Sequence, residues 1–118
     1  MCLTLQTMRV AYNKLIRDRI PEIINEDGHR AVIHVLDKDS YQAALRAKLL
    51  EEAQEASSAP PHALAAELAD VLEVLRALVA ATGMQWGELL ALAADKRAKR
   101  GGYEERLFLE YVEKGGSL

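Results

Sequence analysis

Two short acidic runs hold the residues of this sequence best suited to chemistry. The first is EEAQE, which contains Glu51, Glu52 and Glu55; the second is ELAD, which contains Glu67 and Asp70. At about 100° per residue, Leu45, Leu49, Ala53 and Ala56 form one apolar stripe of a helix, and Glu52 falls inside that stripe. An unpaired carboxylate on a buried face costs several kcal/mol, so Glu52 must be protonated, paired or bound to a cation. Glu55 borders the same stripe. On the following helix Leu64, Leu68, Val71, Leu75 and Leu78 define the main apolar face, with Glu67 at its edge and Asp70 beyond it, beside Ala66 and Ala77. If the two helices form an antiparallel hairpin turning at SSAPP, Glu52 lies about 6 Å from the end of one and Glu67 about 9 Å from the start of the other. Glu52, Glu55, Glu67 and Asp70 then converge at similar depth, which mutual repulsion forbids without a cation. An all-oxygen acidic site without nearby His or Cys suits hard ions, Mg²⁺ above all and Mn²⁺ as a substitute, whose usual companion is a phosphate. The plainer alternative is solvated helix surface, against which the placement of Glu52 and the second acidic pair both weigh.

A triphosphate needs cations beyond the metal to neutralise its oxygens. Lys96 and Arg100, at i and i+4, share one helical face; they either meet phosphates or form a solvated basic patch that complements the helix C-terminus. Lys14, Arg17 and Arg19 leave the same two alternatives open. Lys48 precedes Glu52 by one helical turn and can pair with the acids. His29, His34 and His62 share no metal-ligand spacing and suit packing or surface roles. Trp86 and Phe108 suit core or interface anchors, with base stacking as the alternative. The RGG at 100–102 fits a helix stop better than a phosphate-binding loop.

The elements that must hold these residues follow from composition and pattern. The chain has 118 residues, 50% of them apolar, which is enough for one domain, 1–118, around one core. Few aromatics, three prolines and plentiful Ala, Leu and Glu predict an all-α bundle built on the acid-bearing hairpin, with at most one or two short strands near the N-terminus. Residues 1–11 fit a short strand, or an unstructured extension if translation begins at Met8. The apolar residues of YNKLIRDRIPEIINEDG predict a short helix kinked or split at Pro21 and stopped by Gly28. RAVIHVLD, 30–37, is β-branched and predicts an isolated strand that needs a partner. Asp39 or Ser40 can cap a helix over 41–56; Pro61 suits the first turn of a second helix reaching Ala81; a third covers 85–99, and the tail adds a last short helix.

A net charge of −3 argues against a general nucleic-acid coat, despite the local basic run DKRAKR. The single cysteine, Cys2, forms no internal disulfide and fits a reducing, cytoplasmic setting. The start lacks the pattern of a signal peptide, and Glu67, Asp70, Glu73 and Arg76 interrupt the longest apolar segment, so no membrane span is expected. Both faces of the helix over 64–79 need cover, which predicts a homodimer or homotetramer.

With these residues in view, the sequence resembles the MazG-type all-α nucleoside triphosphate pyrophosphohydrolases, whose EExxE helix and following ExxD helix are matched by EEAQE and ELAD. Within that superfamily it is similar to small proteins like phosphoribosyl-ATP pyrophosphohydrolase that carry KLxRDxIPEII and RGGFxxRxxL; here these are KLIRDRIPEII, 14–24, and RGGYEERLFL, 100–109. The resemblance covers 12–111, with Tyr103 in place of the usual Phe. It implies that Glu52, Glu55, Glu67 and Asp70 bind Mg²⁺ and that Glu51 orients or deprotonates water. It also implies that Lys96 and Arg100 contact phosphates, and that the KLIRDR segment brings Lys14, Arg17 and Arg19 to the substrate. The implied activity is Mg²⁺-dependent hydrolysis of a nucleoside triphosphate, or a related nucleotide, to the monophosphate and pyrophosphate, in nucleotide-pool house-cleaning. Phosphoribosyl-ATP hydrolysis in histidine biosynthesis is the enzymatic alternative, and a helical oligomerisation module without catalysis is the other.

Overall fold

The computed structural model describes residues 8–116, so the first part of the predicted N-terminal strand or extension lies outside the described residues. Among the described residues the chain is all-helical: α1 Ile20–Glu26, α2 Lys38–Ser58, α3 Leu64–Ala81 and α4 Trp86–Arg100, with no strand. It divides into two compact units, one through Gly83 and the other from Met84.

In the first unit α1 begins at Ile20, with Pro21 in its first turn, and is not kinked by it. Proline is tolerated in the first helical turn, where its missing N–H is not needed, and breaks a helix further in; Pro21 accordingly sits in the first turn of the helix, and residues 12–19 form an irregular arm before it. Gly28, at φ 81°, ends it as expected, with its N–H donating to the Asn25 carbonyl at 3.1 Å. The strand expected over 30–37 does not form. Val32, Ile33 and Val35 are exposed, and β-branched residues make a strand only where another strand pairs with them.

Asp37 caps α2, earlier than the Asp39 or Ser40 expected. Its carboxylate accepts from the Ser40 N–H at 2.8 Å, which holds its pKa below the usual carboxylate value. α2 runs to Ser58 because Ser57 and Ser58 turn back to donate to the Gln54 carbonyl at 2.8 and 3.0 Å, stabilising the last turn. Pro61 falls in the turn before α3 and not in its first helical turn. The two helices run antiparallel: Gln42 near the start of α2 donates to the Ala81 carbonyl at the end of α3, at 2.9 Å.

The buried apolar residues of this hairpin are Leu45 from α2 and Val74 from α3, flanked by the half-buried Leu49, Val71, Leu75 and Leu78. Leu64 and Leu68, expected on the packed face, are exposed, as is Leu72. α3 is so rich in Ala and Leu that it offers two apolar stripes. The stripe turned to α2 runs through Glu67, Asp70, Val74 and Ala77, so both acids lie in line with the core and not beside it.

In the second unit α4 ends at Gly101, φ 82°, with Arg97, Lys99 and Arg100 in its last turn, where positive charge complements the helix terminus. Arg97 pairs with Glu104 and turns the following loop back toward the helix. A Cβ at Gly102 would stand 2.6 Å from Arg97 Nη1, the far end of an exposed side chain that can move aside. No helix forms in the tail over 101–116; its Leu107, Phe108 and Leu109 are exposed, and no apolar face covers them within this unit.

Candidate metal centre

One α2 position concentrates the electrostatic problem of the hairpin. Glu52 is only 8% exposed, in the same turn-by-turn register as Leu45 and Leu49. α2 supplies a counter-charge of its own: Lys48, one turn earlier, brings Nζ to 3.4 Å from Glu52 Oε1 and equally close to Glu51 Oε1. That contact satisfies one side of the Glu52 carboxylate. Glu52 Oε2 remains buried without a hydrogen-bond partner, and so does Glu67 Oε2 across the helix pair.

The packed stripe of α3 brings Asp70 to the same place. Glu52, Glu67 and Asp70 each present one carboxylate oxygen to a common point, all within 4.8 Å of one another. Burial and the negative charges of Glu55 and Asp70 push the pKa of Glu52 up, with Lys48 opposing them. Glu51 titrates the other way. Burial pulls it upward, but hydrogen bonds and charge from Lys14 and Lys48 outweigh this and keep it ionised.

The arm before α1 closes one side of this acid cluster. Lys14 Nζ stands 3.3 Å from Glu51 Oε1, and Arg17 Nη2 donates to Asp70 Oδ1 at 2.6 Å. Leu15 and Ile16 lie between them and, with Leu45, Lys48, Glu52, Asp70 and Val74, line a cleft of about 210 Å³. That is smaller than the roughly 300–1,000 Å³ of pockets that enclose drug-sized ligands. It has room for an ion and a phosphate group, and its open side leaves the rest of a larger ligand to extend outward.

The remaining candidates are distributed more widely. Glu55 is exposed and outside the three-oxygen group, although its charge reaches Glu52. Arg19 pairs with Glu22 at 3.2 Å and not with the cluster. Lys96 and Arg100 are exposed on α4 in the second unit. The three histidines are exposed and contribute nothing to the group; Trp86 is half-buried, while Phe108 is exposed and forms no core. The direct attachment of Lys14 and Arg17 to acids was missed in the sequence, where nothing in spacing links residues 37 and 53 positions apart.

Three carboxylates with two orphaned oxygens form a donor set for a hard cation. A cation would add to the positive charge of Lys48 and Arg17 and offer partners to the unpartnered oxygens. Oxygen donors alone fit Mg²⁺, Mn²⁺ or Ca²⁺ better than the softer ions that prefer imidazole or thiolate.

No family model matches the chain, and no solved structure does. A protein of Mycolicibacterium smegmatis, described as an uncharacterized protein, is 52% identical over 46 residues, a stretch covering 39% of this chain and 47% of that protein. The chain thus matches less than half of that relative's length.

Proposed function

We propose that the chain is a Mg²⁺-dependent nucleotide pyrophosphohydrolase of the MazG-type superfamily, acting on a nucleoside triphosphate or a related nucleotide in nucleotide-pool house-cleaning. The observation that carries this reading is the buried Glu52, which has one unpartnered oxygen and brings a carboxylate oxygen within 4.8 Å of those of Glu67 and Asp70. In this reading Glu52, Glu67 and Asp70 hold Mg²⁺ or Mn²⁺, with Glu55 as a further acid at the rim. The ion supplies positive charge opposite the phosphate oxygens and acidifies water.

The chain's own residues do the rest. Water attacks the α-phosphorus, the bridging P–O bond to the β-phosphate breaks, and pyrophosphate leaves with the bridging oxygen. Glu51 accepts the proton of that water. It is ionised at neutral pH, as an acceptor must be, and the lysines that lower its pKa reduce its basicity. Lys14 and Arg17 bind phosphate oxygens, with Arg17 suited to a two-point grip. Lys96 and Arg100 are assigned the same role on the family resemblance alone.

We also assign a homodimer or homotetramer to the active form. α2 and α3 expose Leu50, Leu64, Leu68 and Leu72, apolar area of the kind that a second copy would cover. No described helix is long and apolar enough to cross a membrane.

The direct test is pyrophosphate release from a panel of canonical and damaged ribo- and deoxyribonucleoside triphosphates, wild type against Glu52→Gln. Release that needs Mg²⁺ and disappears in the variant is expected. A wild-type protein silent on the entire panel with Mg²⁺ and with Mn²⁺ refutes the triphosphate assignment.

A further inference from the structure

Glu52 is paired with Lys48 of its own helix, whereas the cation at Asp70, the guanidinium of Arg17 at 2.6 Å, comes from outside the helix pair. That cation arrives on the irregular arm over 12–19. The same arm sends Lys14 to Glu51 and rests Leu15 and Ile16, both half-buried, against the cleft. It contains no regular secondary structure, and Asn13 within it adopts a left-handed φ of 48°. Ion pairs and two aliphatic side chains therefore account for its attachment. Both partners of the Arg17–Asp70 pair are well exposed, at 57% and 42% of their side chains, and an exposed pair exchanges more readily than a buried one.

We propose that Arg17 is an internal stand-in for the metal: it neutralises Asp70 while the cluster holds no ion and lets go when a divalent cation takes that carboxylate. The released arm can then turn Lys14 and Arg17 to the phosphates of the substrate. This rests on the assignment of the cluster as a metal site and adds its regulation. A guanidinium and a divalent ion repel one another and compete for the charge of one carboxylate, so each weakens the other's hold on Asp70. The arrangement has a consequence opposite in sign to that of a supporting residue. Removal of Arg17 strengthens metal binding, because the ion no longer displaces a competitor.

The test titrates Mn²⁺ into the 118-residue chain without nucleotide, with free ion followed by electron paramagnetic resonance, in wild type, R17Q and D70N. R17Q is expected to bind Mn²⁺ roughly three- to ten-fold more tightly than wild type, the scale of one partly exposed charge pair and one removed positive charge; D70N loses binding. Amide hydrogen exchange over 12–19 in wild type is expected to quicken on addition of Mn²⁺ and to slow again with inorganic pyrophosphate. Equal or weaker Mn²⁺ binding in R17Q, with D70N still deficient, overturns the stand-in role and leaves the metal site intact. Identical Mn²⁺ behaviour of wild type and D70N removes the metal site, and the stand-in role falls with it.

Discussion

The α2–α3 cleft and the end of α4 each gather like charges within a few turns of helix, yet their surroundings differ. In the cleft Glu52 is almost fully buried, two carboxylate oxygens have no hydrogen-bond partner, and three acids point to one place. At the end of α4, Lys96, Arg97, Lys99 and Arg100 are all exposed. Arg97 and Lys99 find acids at Glu104 and Asp95, and the helix terminus itself favours the positive charge. Burial therefore separates the two clusters more than charge density does. The acidic one retains repulsion that a cation would relieve, whereas the basic one is already at ease in water.

Substitutions that break this contrast should show their largest effect at the acid cluster. Asp70→Asn should weaken Mn²⁺ binding by at least about 100-fold, the upper range for loss of a residue that merely supports a ligand, while Arg100→Gln leaves it unchanged in the absence of nucleotide. Comparable losses in both variants would erase the distinction.

Stability should follow the same division. Leu45→Ala removes a core contact of the hairpin and should cost about 3 kcal/mol in chemical denaturation, whereas Phe108→Ala in the exposed tail should stay within about 0.5 kcal/mol. At the start of α2, Asp37→Ala removes the cap on Ser40 and should cost about 1 kcal/mol.

The pH dependence supplies a subtler difference. The folded pKa of Glu52 lies above its ordinary value of 4.5, so the folded state holds its proton more tightly than the unfolded state does. Its contribution favours folding below that ordinary value and is lost as pH rises through the raised folded value. Wild type should therefore lose metal-free stability relative to Glu52→Gln as pH climbs from 4.5 toward neutrality, and saturating Mn²⁺ should abolish the gap. The smallest effect is expected at the other cluster. Arg97→Ala removes a solvent-exposed pair and should change stability by less than about 1 kcal/mol.

How much of this was legible in the sequence depended on whether local chemistry allowed one answer or several. The helix hairpin followed from apolar spacing on each side of the two prolines, and Glu52 stood out because its stripe had no alternative. The face of α3 was placed only in part: Val71, Leu75 and Leu78 flank the core, but Leu64 and Leu68 are exposed. Its leucines and alanines permit two apolar stripes, and only packing against α2 selects the one through Glu67, Asp70 and Val74. The cap was expected at Asp39 or Ser40, and the 2.8 Å contact assigns it to Asp37, a residue of equal capping propensity that the expected strand had claimed. The β-branched run over 30–37 expresses a preference that has no effect without a pairing strand. Lys48 was legible as a partner of Glu52 one turn away, but Arg17 was not legible as a partner of Asp70, since a contact across the fold leaves no periodic trace.

The central claim is that the acids of the cleft exist to hold a divalent cation. Anomalous diffraction from crystals soaked in Mn²⁺ tests it most directly, since the ion's position is observed independently of any activity. The account predicts a peak bounded by Glu52, Glu67 and Asp70, with the Arg17 side chain withdrawn from Asp70. Well-ordered acids with no peak between them at saturating Mn²⁺, or with the ion confined to exposed surface carboxylates, would contradict it.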